Sequence, residues 1–135
     1  MKILITSDLH GRRSWYKWLS KQQVDLVIIA GDLIDHQRDH EVETFLTTHY
    51  LSEFESPVAV CSGDHDQPSL WFPRLQALDI LCDGQSRFFG KMLVTSLAFN
   101  DEEKNSILHA AQKCAGQRPW LVIHHEPPYG TPVGG

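Results

Sequence analysis

Short, continuous apolar runs alternate along this chain with segments in which apolar residues recur at helical spacing. The runs at residues 2–6, 24–30, 58–61 and 120–123 are predicted strands. The second run is almost entirely apolar, which is typical of a strand that is covered on both faces of its sheet. Strands that alternate with helices predict β-α-β crossovers and a mostly parallel sheet flanked by helices, so we expect an α/β fold.

Four helices are predicted, beginning after Gly11, near residue 42, at Pro68 and at residue 101. We expect the tryptophans of the first and third helices to lie in the core rather than to form a base-stacking platform. The predicted buried faces carry, in chain order, Trp15, Trp18 and Leu19; Val42, Phe45, Leu46, His49 and Tyr50; Trp71, Leu75 and Leu78; and Ile107, Leu108, Ala111 and Cys114.

The remaining segments complete one predicted domain. A weak strand is predicted at residues 80–82, and residues 86–97 are expected to form a hairpin around Gly90. We therefore place a single domain at residues 1–126. Residues 127–135 are rich in Pro and Gly and are predicted to be a tail without regular structure.

Composition narrows the function classes. With 135 residues, 41% of them apolar and 21% charged, the chain is typical of a single globular domain. The net charge of −5 argues against a large basic nucleic-acid footprint. The three cysteines form no Cys-x-x-Cys pair, which favours buried free thiols and a reducing, cytoplasmic setting. No signal peptide is expected, and no apolar run approaches the ~20 residues of a membrane span.

Polar motifs follow the predicted strands directly. Because ligands bind outside the carboxyl ends of the strands in parallel sheets, we expect these side chains to converge. Carboxylates brought together repel one another unless cations join them, and a mixed carboxylate and imidazole set favours Mn²⁺, Fe or Zn²⁺. The motifs are Asp8-Leu9-His10, Gly31-Asp32, Gly63-Asp64-His65-Asp66 and His124-His125.

This chemistry suits phosphate-ester hydrolysis. Two divalent ions held side by side can bind a phosphate and activate a water for in-line attack. Asp32 follows the central strand and is the natural bridging ligand. His65, next to Asp64, is placed to protonate a leaving alkoxide rather than to bind metal.

The ordered motifs resemble those of the calcineurin-like metallophosphoesterases, whose pattern is Asp-x-His, Gly-Asp, Gly-Asn-His-Asp/Glu, His and then Gly-His-x-His. The resemblance runs from residue 6 to about residue 128 and implies the N-terminal part of that family's β-sandwich. It further implies hydrolysis of a phosphate ester, with nucleic acid as one of several substrate classes. The implied metal ligands are Asp8 and His10 for the first ion, Asp32 as the bridge, and Asp64 and His124 for the second ion, with His125 as the alternative to His124.

Two departures from the family pattern leave a second function open. Asp64 stands where the family has Asn, which adds a negative charge that tightens metal binding and weakens attraction for an anionic substrate. No Gly-His-x-His occurs in the sequence, so we expect an incomplete domain that either lacks a C-terminal portion or forms a homo-oligomer. The alternative function is therefore a metal-binding or interaction module with impaired catalysis.

Other polar residues near the motifs receive structural interpretations. We expect Asp35 and His36 to be loop residues, and Asp66 to be a helix cap or a hydrogen-bonding partner of the ligands. Arg12 and Arg13, at a predicted helix start, are candidates for holding a phosphate, although a solvated position is expected for at least one of them.

Overall fold

The computed structural model describes residues 1–127, so residues 128–135 of the predicted tail lie outside the described part. Within that part, no helix is both long enough and apolar enough to cross a membrane. The elements are β1 (Ile3–Thr6), α1 (Arg13–Leu19), β2 (Leu26–Ala30), α2 (His40–Ser52), β3 (Val58–Cys61), α3 (Pro68–Ala77), β4 (Ser86–Phe89), β5 (Met92–Ser96), α4 (Lys104–Ala115) and β6 (Trp120–Ile123).

The strands form two three-stranded sheets. The first is parallel throughout, in the order β1-β2-β3, and the second has the order β4-β5-β6. In the second sheet, β4 and β5 form the predicted antiparallel hairpin, while β6 pairs parallel to β5. The predicted strand at residues 80–82 is reduced to a single bridge between Leu81 and Ala59. The prediction of an α/β fold with a mostly parallel sheet is confirmed.

Strand β2 lies between two layers of the core. Leu26 and Ile28 belong to a cluster that contains Val94 of the second sheet, whereas Val27 and Ile29 belong to the cluster beneath the helices. These four of the five β2 residues are fully buried, as expected for an apolar strand that is covered on both faces. The first sheet is thus sandwiched between the helices and the second sheet.

Two further contacts hold the layers together. The hydroxyl of Ser96 in β5 donates to the backbone carbonyl of Val60 in β3 over 2.7 Å, which joins the sheets by a buried hydrogen bond. On the far side, Ala111 and Ala115 of α4 pack with Leu93 of β5. The resulting order of layers is helices, sheet, sheet, helix.

Helix α1 forms where it is predicted, but its buried face is different. Tyr16 and Leu19 are buried, while Trp15 and Trp18 are each 50% exposed. The Tyr16 hydroxyl donates to the backbone carbonyl of Leu33 over 2.8 Å, so the phenol enters the core without an unpaired polar group. The prediction that both tryptophans of this helix lie in the core is wrong.

Helix α2 also forms where it is predicted, but a different face from the predicted one is buried. Val42 and Phe45 are 55% and 58% exposed. The hydroxyls of Thr44 and Thr48 donate to the carbonyls of His40 and Phe45 in their own helix, which removes most of the penalty for burying them. The buried residues of this helix are Glu43, Thr44, Thr47, Thr48 and Leu51.

Helix α3 follows its predicted face more closely than the other helices do. Trp71 and Leu75 of α3 are buried, but Leu78 lies just beyond the helix and is 38% exposed.

In α4 the buried residues are Ala111 and Ala115, while Ile107 and Leu108 are only half-buried. Cys114 is exposed, so its predicted place on the buried face is wrong. The other two cysteines are buried free thiols, as expected.

Candidate metal centre

The loops that follow β1 and β2 are joined by their backbones. The amides of Asp8, His10 and Gly11 donate to the carbonyls of Gly31, Asp32 and Leu33 over 3.0, 2.9 and 2.8 Å. These hydrogen bonds continue the pairing of β1 with β2 beyond the strands themselves. The positions of the first two motifs relative to each other are therefore fixed by the main chain and do not depend on the site's side chains.

Three of the predicted ligands have a left-handed backbone. The φ angles of Asp8, His10 and Asp32 are 57°, 47° and 53°. Asp and His are among the few residues other than glycine that adopt this region with any frequency, and clusters of such residues are typical of functional sites. The backbone conformation thus points to the same residues as the motif chemistry.

Two glycines allow the site to close. A Cβ atom on Gly63 would collide with the Asp32 carboxylate, and one on Gly31 would collide with the His125 ring. The absence of side chains at these two positions lets the loops after β2, β3 and β6 approach one another. The glycines of the Gly-Asp motifs are therefore required for packing within the site.

Four of the five predicted ligands converge in two groups that share one residue, and the second group also contains His65, which was predicted as a proton donor and not as a ligand. Asp8, His10 and Asp32 form the first group and Asp32, Asp64 and His65 the second, and in each group one ligand atom per residue lies within 4.8 Å of the others. The His10 Nε2 atom is 3.8 Å from an oxygen of Asp8 and 3.8 Å from Asp32 Oδ2. Asp32 is only 4% exposed, and it is the one buried carboxylate common to both groups.

Of the two adjacent histidines after β6, the structure brings His125 and not His124 to Asp32 and Asp64. The His125 Nε2 atom lies 3.3 Å from Asp64 Oδ1 and 3.6 Å from Asp32 Oδ2. Its Nδ1 atom is 2.8 Å from the carbonyl of Ala30. A hydrogen bond from Nδ1–H to a carbonyl leaves the lone pair on Nε2, which is how metal-binding histidines are commonly oriented.

Burial and the neighbouring acceptors of His125 act on its pKa in opposite directions. Partial burial lowers the pKa, but the Ala30 carbonyl and the carboxylates of Asp32, Asp8 and Asp64 raise it above its ordinary value in total. A cation at Nε2 would compete with a proton for the same position. The ring thus lies in a field that favours positive charge.

His124 occupies a different environment. Its Nδ1 atom is 3.0 Å from the carbonyl of Glu126, and its Nε2 atom is buried without a partner among the described residues. Burial raises the pKa of the nearby Asp83 carboxyl above its ordinary value, and His124 offsets a small part of that rise. The geometry therefore favours His125 over His124, the opposite of the order in which the sequence ranked them.

Asp64 and His65 lie at the rim. The Asp64 side chain is exposed. Desolvation raises its pKa, but its own backbone N–H, His65, His125 and a hydrogen bond with Asp32 together lower the pKa below its ordinary value. The backbone amide of His65 donates to Asp32 Oδ1 over 3.2 Å. The His65 ring nitrogen Nε2 is 3.6 Å from Asp64 Oδ2.

The structure adds His36 to the site, which the sequence analysis treated as a loop residue. Its ring stacks on the His65 ring with centroids 3.8 Å apart and planes inclined by 14°. The His10 ring lies 6.2 Å from His36 and 6.0 Å from His65. The only signal in the sequence is the location of His36, four residues beyond Asp32 in the loop that carries a ligand.

Asp66 ties the β2 and β3 loops together. One of its carboxylate oxygens accepts from the amides of Leu33 and Ile34 over 2.9 and 3.2 Å, and the other accepts from Gly63 over 2.8 Å. Burial raises its pKa to about 6, against the lowering effect of these three donors. Asp66 thus joins the two loops through backbone amides beside the ligands, and not by a hydrogen bond to a ligand side chain.

Asp66 is expected to make the stability of the metal-free protein depend on pH. Because its folded-state pKa is above that of an unfolded aspartate, the folded chain holds more protons between pH 4 and 6, and stability falls as the pH rises through that range. The loss is about 3 kcal/mol, from ~1.4 kcal/mol per pKa unit. Urea unfolding in EDTA should show this slope, and Asp66→Asn should flatten it. An identical slope in both proteins would contradict the assignment.

The donor set fits a hard or borderline divalent cation. It combines several carboxylate oxygens with imidazole nitrogens, and its centre is a buried carboxylate that makes one backbone hydrogen bond among the described residues. Without a cation, Asp8, Asp32 and Asp64 would lie close together with only imidazoles to offset their charge.

Comparisons with known proteins agree with this architecture. The family model described as calcineurin-like phosphoesterase matches residues 1–134. The crystal structure of TT1561 from Thermus thermophilus superposes with a TM-score of 0.78 at 16% identity, covering 97% of this chain and 70% of that one, and thus shows the same fold. None of the curated proteins matches the sequence significantly. By its motifs, its fold and the extent of the family match, the chain belongs to the calcineurin-like phosphoesterase family.

Proposed function

We propose that this protein is a metal-dependent phosphoesterase with two divalent cations. Asp8 and His10 would hold the first ion, Asp64 and His125 the second, and Asp32 would bridge them. The observation that carries the proposal is that buried Asp32 lies close to Asp8 and His10 and also to Asp64 and His125. Bound ions would supply Lewis-acid activation of water and of the phosphate. The ligand chemistry is compatible with Mn²⁺, Fe or Zn²⁺.

The test is hydrolysis of p-nitrophenyl phosphate and bis(p-nitrophenyl) phosphate by the purified protein. Release of p-nitrophenol should require added Mn²⁺ and should stop on addition of EDTA. The two substrates separate phosphomonoesterase from phosphodiesterase activity. Absence of metal-dependent turnover on both substrates would contradict the proposal.

Within this function, His65 is proposed to donate a proton to the leaving oxygen. Its side chain is partly exposed at the rim, where a substrate can reach it, and the stacked His36 ring limits the directions in which it can turn. General acids matter most when the leaving group is a poor one, since a good leaving group departs without a proton. His36 is thus a positioning residue that acts through His65.

Substitution of either histidine should therefore depend on the leaving group. His65→Ala and His36→Ala are expected to slow hydrolysis of phenyl phosphate by ~100-fold, and hydrolysis of p-nitrophenyl phosphate far less. His36→Phe keeps a flat ring against His65 and should restore most of the loss. Equal losses on both substrates would argue against the role of His65. If His36→Ala hydrolysed both substrates at the wild-type rate, the positioning role of His36 would be contradicted, but the role of His65 would not.

The alternative is a metal-binding module without turnover. The extra negative charge of Asp64, where the family has Asn, favours it because that charge strengthens cation binding and repels an anionic substrate. Titration of the metal-free protein with Mn²⁺ in a calorimeter separates the two functions when combined with the hydrolysis assay. Two bound ions with turnover support the phosphoesterase, and tight binding without turnover supports the module.

The thiols support the proposal of a reducing, cytoplasmic compartment. Cys61 and Cys82 are buried and free, and Cys114 is exposed and free. Burial raises the pKa of Cys61, and it raises that of Cys82 to about 11, so neither is a reactive thiolate at neutral pH. Free thiols of this kind are typical of proteins that do not depend on disulfides for stability.

A further inference from the structure

The exposed face of α1 combines aromatic rings with positive charge. Arg12, Trp15, Trp18 and Lys21 follow one another at intervals of three residues. Both tryptophans lie in α1 on adjoining parts of its surface, Arg12 is the N-cap residue, and Lys21 comes two residues after the helix ends. We call these four residues the tryptophan stripe. Its two indoles are each 50% exposed, and their centroids are 6.2 Å apart in an edge-to-face arrangement.

The stripe lies in the most basic part of the chain. Arg12, Arg13, Lys17 and Lys21 are four of the twelve lysines and arginines, and the segment 12–21 contains none of the seventeen acidic residues. All four are exposed, and among the described residues none of them forms an ion pair. A protein of net charge −5 thus concentrates unpaired positive charge on one short segment.

This segment leads directly out of the metal centre. The amide of Arg12 donates to the carbonyl of Leu9 over 3.0 Å, and the amide of Trp15 donates to that of Arg12 over 3.0 Å, so the ligand loop continues into α1 without a break. His10 and Arg12 are two residues apart, which limits their Cα separation to about 7 Å. Five residues, or at most ~18 Å, separate His10 from Trp15.

We propose that the tryptophan stripe binds single-stranded nucleic acid and guides it to the phosphoesterase centre. The inference rests on the proposed function and names its substrate class. A single strand alternates phosphates with flat bases. The cations of the stripe can bind the phosphates, and its indole faces can stack on the bases. A duplex keeps its bases stacked inside and cannot use the rings in this way, so the ligand is a single strand.

An anionic membrane is the competing ligand for such a surface, and the structure favours it less. Interfacial helices bury a continuous apolar face in the lipid. Helix α1 is only seven residues long, and its aliphatic residue Leu19 is buried in the protein core together with Tyr16. Two separate rings flanked by cations offer little apolar area to lipid but are sufficient for two bases.

The test is fluorescence anisotropy of a labelled dT12 oligonucleotide in EDTA, which prevents hydrolysis. Trp15→Ala/Trp18→Ala is expected to weaken binding at least ~25-fold, because each of the two stacked bases contributes about a factor of five or more. Trp15→Phe/Trp18→Phe should restore most of the affinity. Phe45→Ala, which removes an equally exposed ring from acid-flanked α2, serves as the matched control and should bind like the wild type.

Salt dependence tests the cations separately. If two phosphates are neutralised by Arg12 and Lys21, Arg12→Ser/Lys21→Ser should reduce the slope of log K against log salt by about 1.4, from ~0.7 per phosphate of a single strand. An unchanged slope would overturn the role of these cations. Since all the substituted side chains are exposed, far-UV circular dichroism should show intact folding in every variant.

Three results would overturn the proposal. They are equal binding of dT12 by the wild type and the double tryptophan variant, equal binding of dT12 and its duplex with dA12, and tryptophan-dependent binding of phosphatidylglycerol vesicles without binding of dT12. Hydrolysis of p-nitrophenyl phosphate without oligonucleotide binding would contradict the role of the tryptophan stripe but not the proposed phosphoesterase function. Oligonucleotide binding without any metal-dependent hydrolysis would support the role of the tryptophan stripe but contradict the proposed phosphoesterase function.

Discussion

Replacing Asp32 with asparagine is expected to lower metal-dependent phosphoester hydrolysis by at least ~1000-fold, since one carboxylate serves both ligand groups. Asparagine has the same shape and tolerates the left-handed backbone at this position, so the substitution removes charge and little else. Hydrolysis of p-nitrophenyl phosphate with Mn²⁺ measures the loss. Calorimetric titration of the same variant should show that Mn²⁺ affinity falls at the same time.

The stability of the Asp32→Asn variant separates a metal ligand from a structural residue. Asp32 lies among other carboxylates, so removing its charge relieves repulsion, and the metal-free variant should unfold at the same temperature as the wild type or higher. Glu102→Ala removes one charge from an exposed position and should change neither activity nor unfolding. Full activity in Asp32→Asn would exclude the bridging role and with it the proposed centre.

Replacing His125 with alanine should also remove most of the activity, whereas the same change at His124 should not. His125 directs Nε2 toward Asp32 and Asp64, and the loss of a ligand from a metal site lowers affinity by at least 10–100-fold. His124 lies apart, against the carbonyl of Glu126. Mn²⁺ titration and hydrolysis by the two variants measure the contrast.

The pair of adjacent substitutions is its own control. Both remove an imidazole from the end of β6, so a general effect on folding would appear in both, and thermal unfolding in EDTA checks this directly. A larger loss in His124→Ala than in His125→Ala would restore His124 as the ligand predicted from the sequence. Equal and complete activity in both variants would exclude a histidine ligand after β6.

The strands and the location of the site could be predicted from the sequence because each depends on a local pattern. The apolar run of β2 specifies a strand buried on both faces, and the motif after it begins with Gly31 and Asp32. Parallel pairing then brings the ends of β1, β2 and β3 to one edge. Neither step requires knowledge of side-chain contacts.

The helix faces could not be predicted in the same way. Thr44 and Thr48 are polar by composition, yet their hydroxyls bond to their own helix, so that they are buried while Phe45 is exposed. In α1 the hydrogen bond from Tyr16 to Leu33 determines which side faces inward. In both helices the buried face depends on whether a polar side chain finds a hydrogen-bond partner. The pattern of apolar positions in the sequence contains no information about such partners.

The details of the site depend on tertiary contacts in the same sense. His124 and His125 have the same chemistry, and only the approach of the β6 end to Ala30 and Gly31 distinguishes them. The stacking of His36 on His65 depends on where the loop after β2 folds back. The sequence could therefore name the motifs but not choose between neighbours within them.

The left-handed backbone of Asp8, His10 and Asp32 restricts which amino acids these positions accept. Aspartate, asparagine, histidine and glycine adopt it most readily, whereas β-branched residues are strongly disfavoured. In a relative that no longer binds the metal, these three positions should therefore still be occupied by Asn or Gly more often than by Val or Ile. An Asp-x-His or Gly-Asp motif in a distant relative is therefore evidence that the loop has kept its conformation. It is evidence for metal binding only when several of these residues are present together.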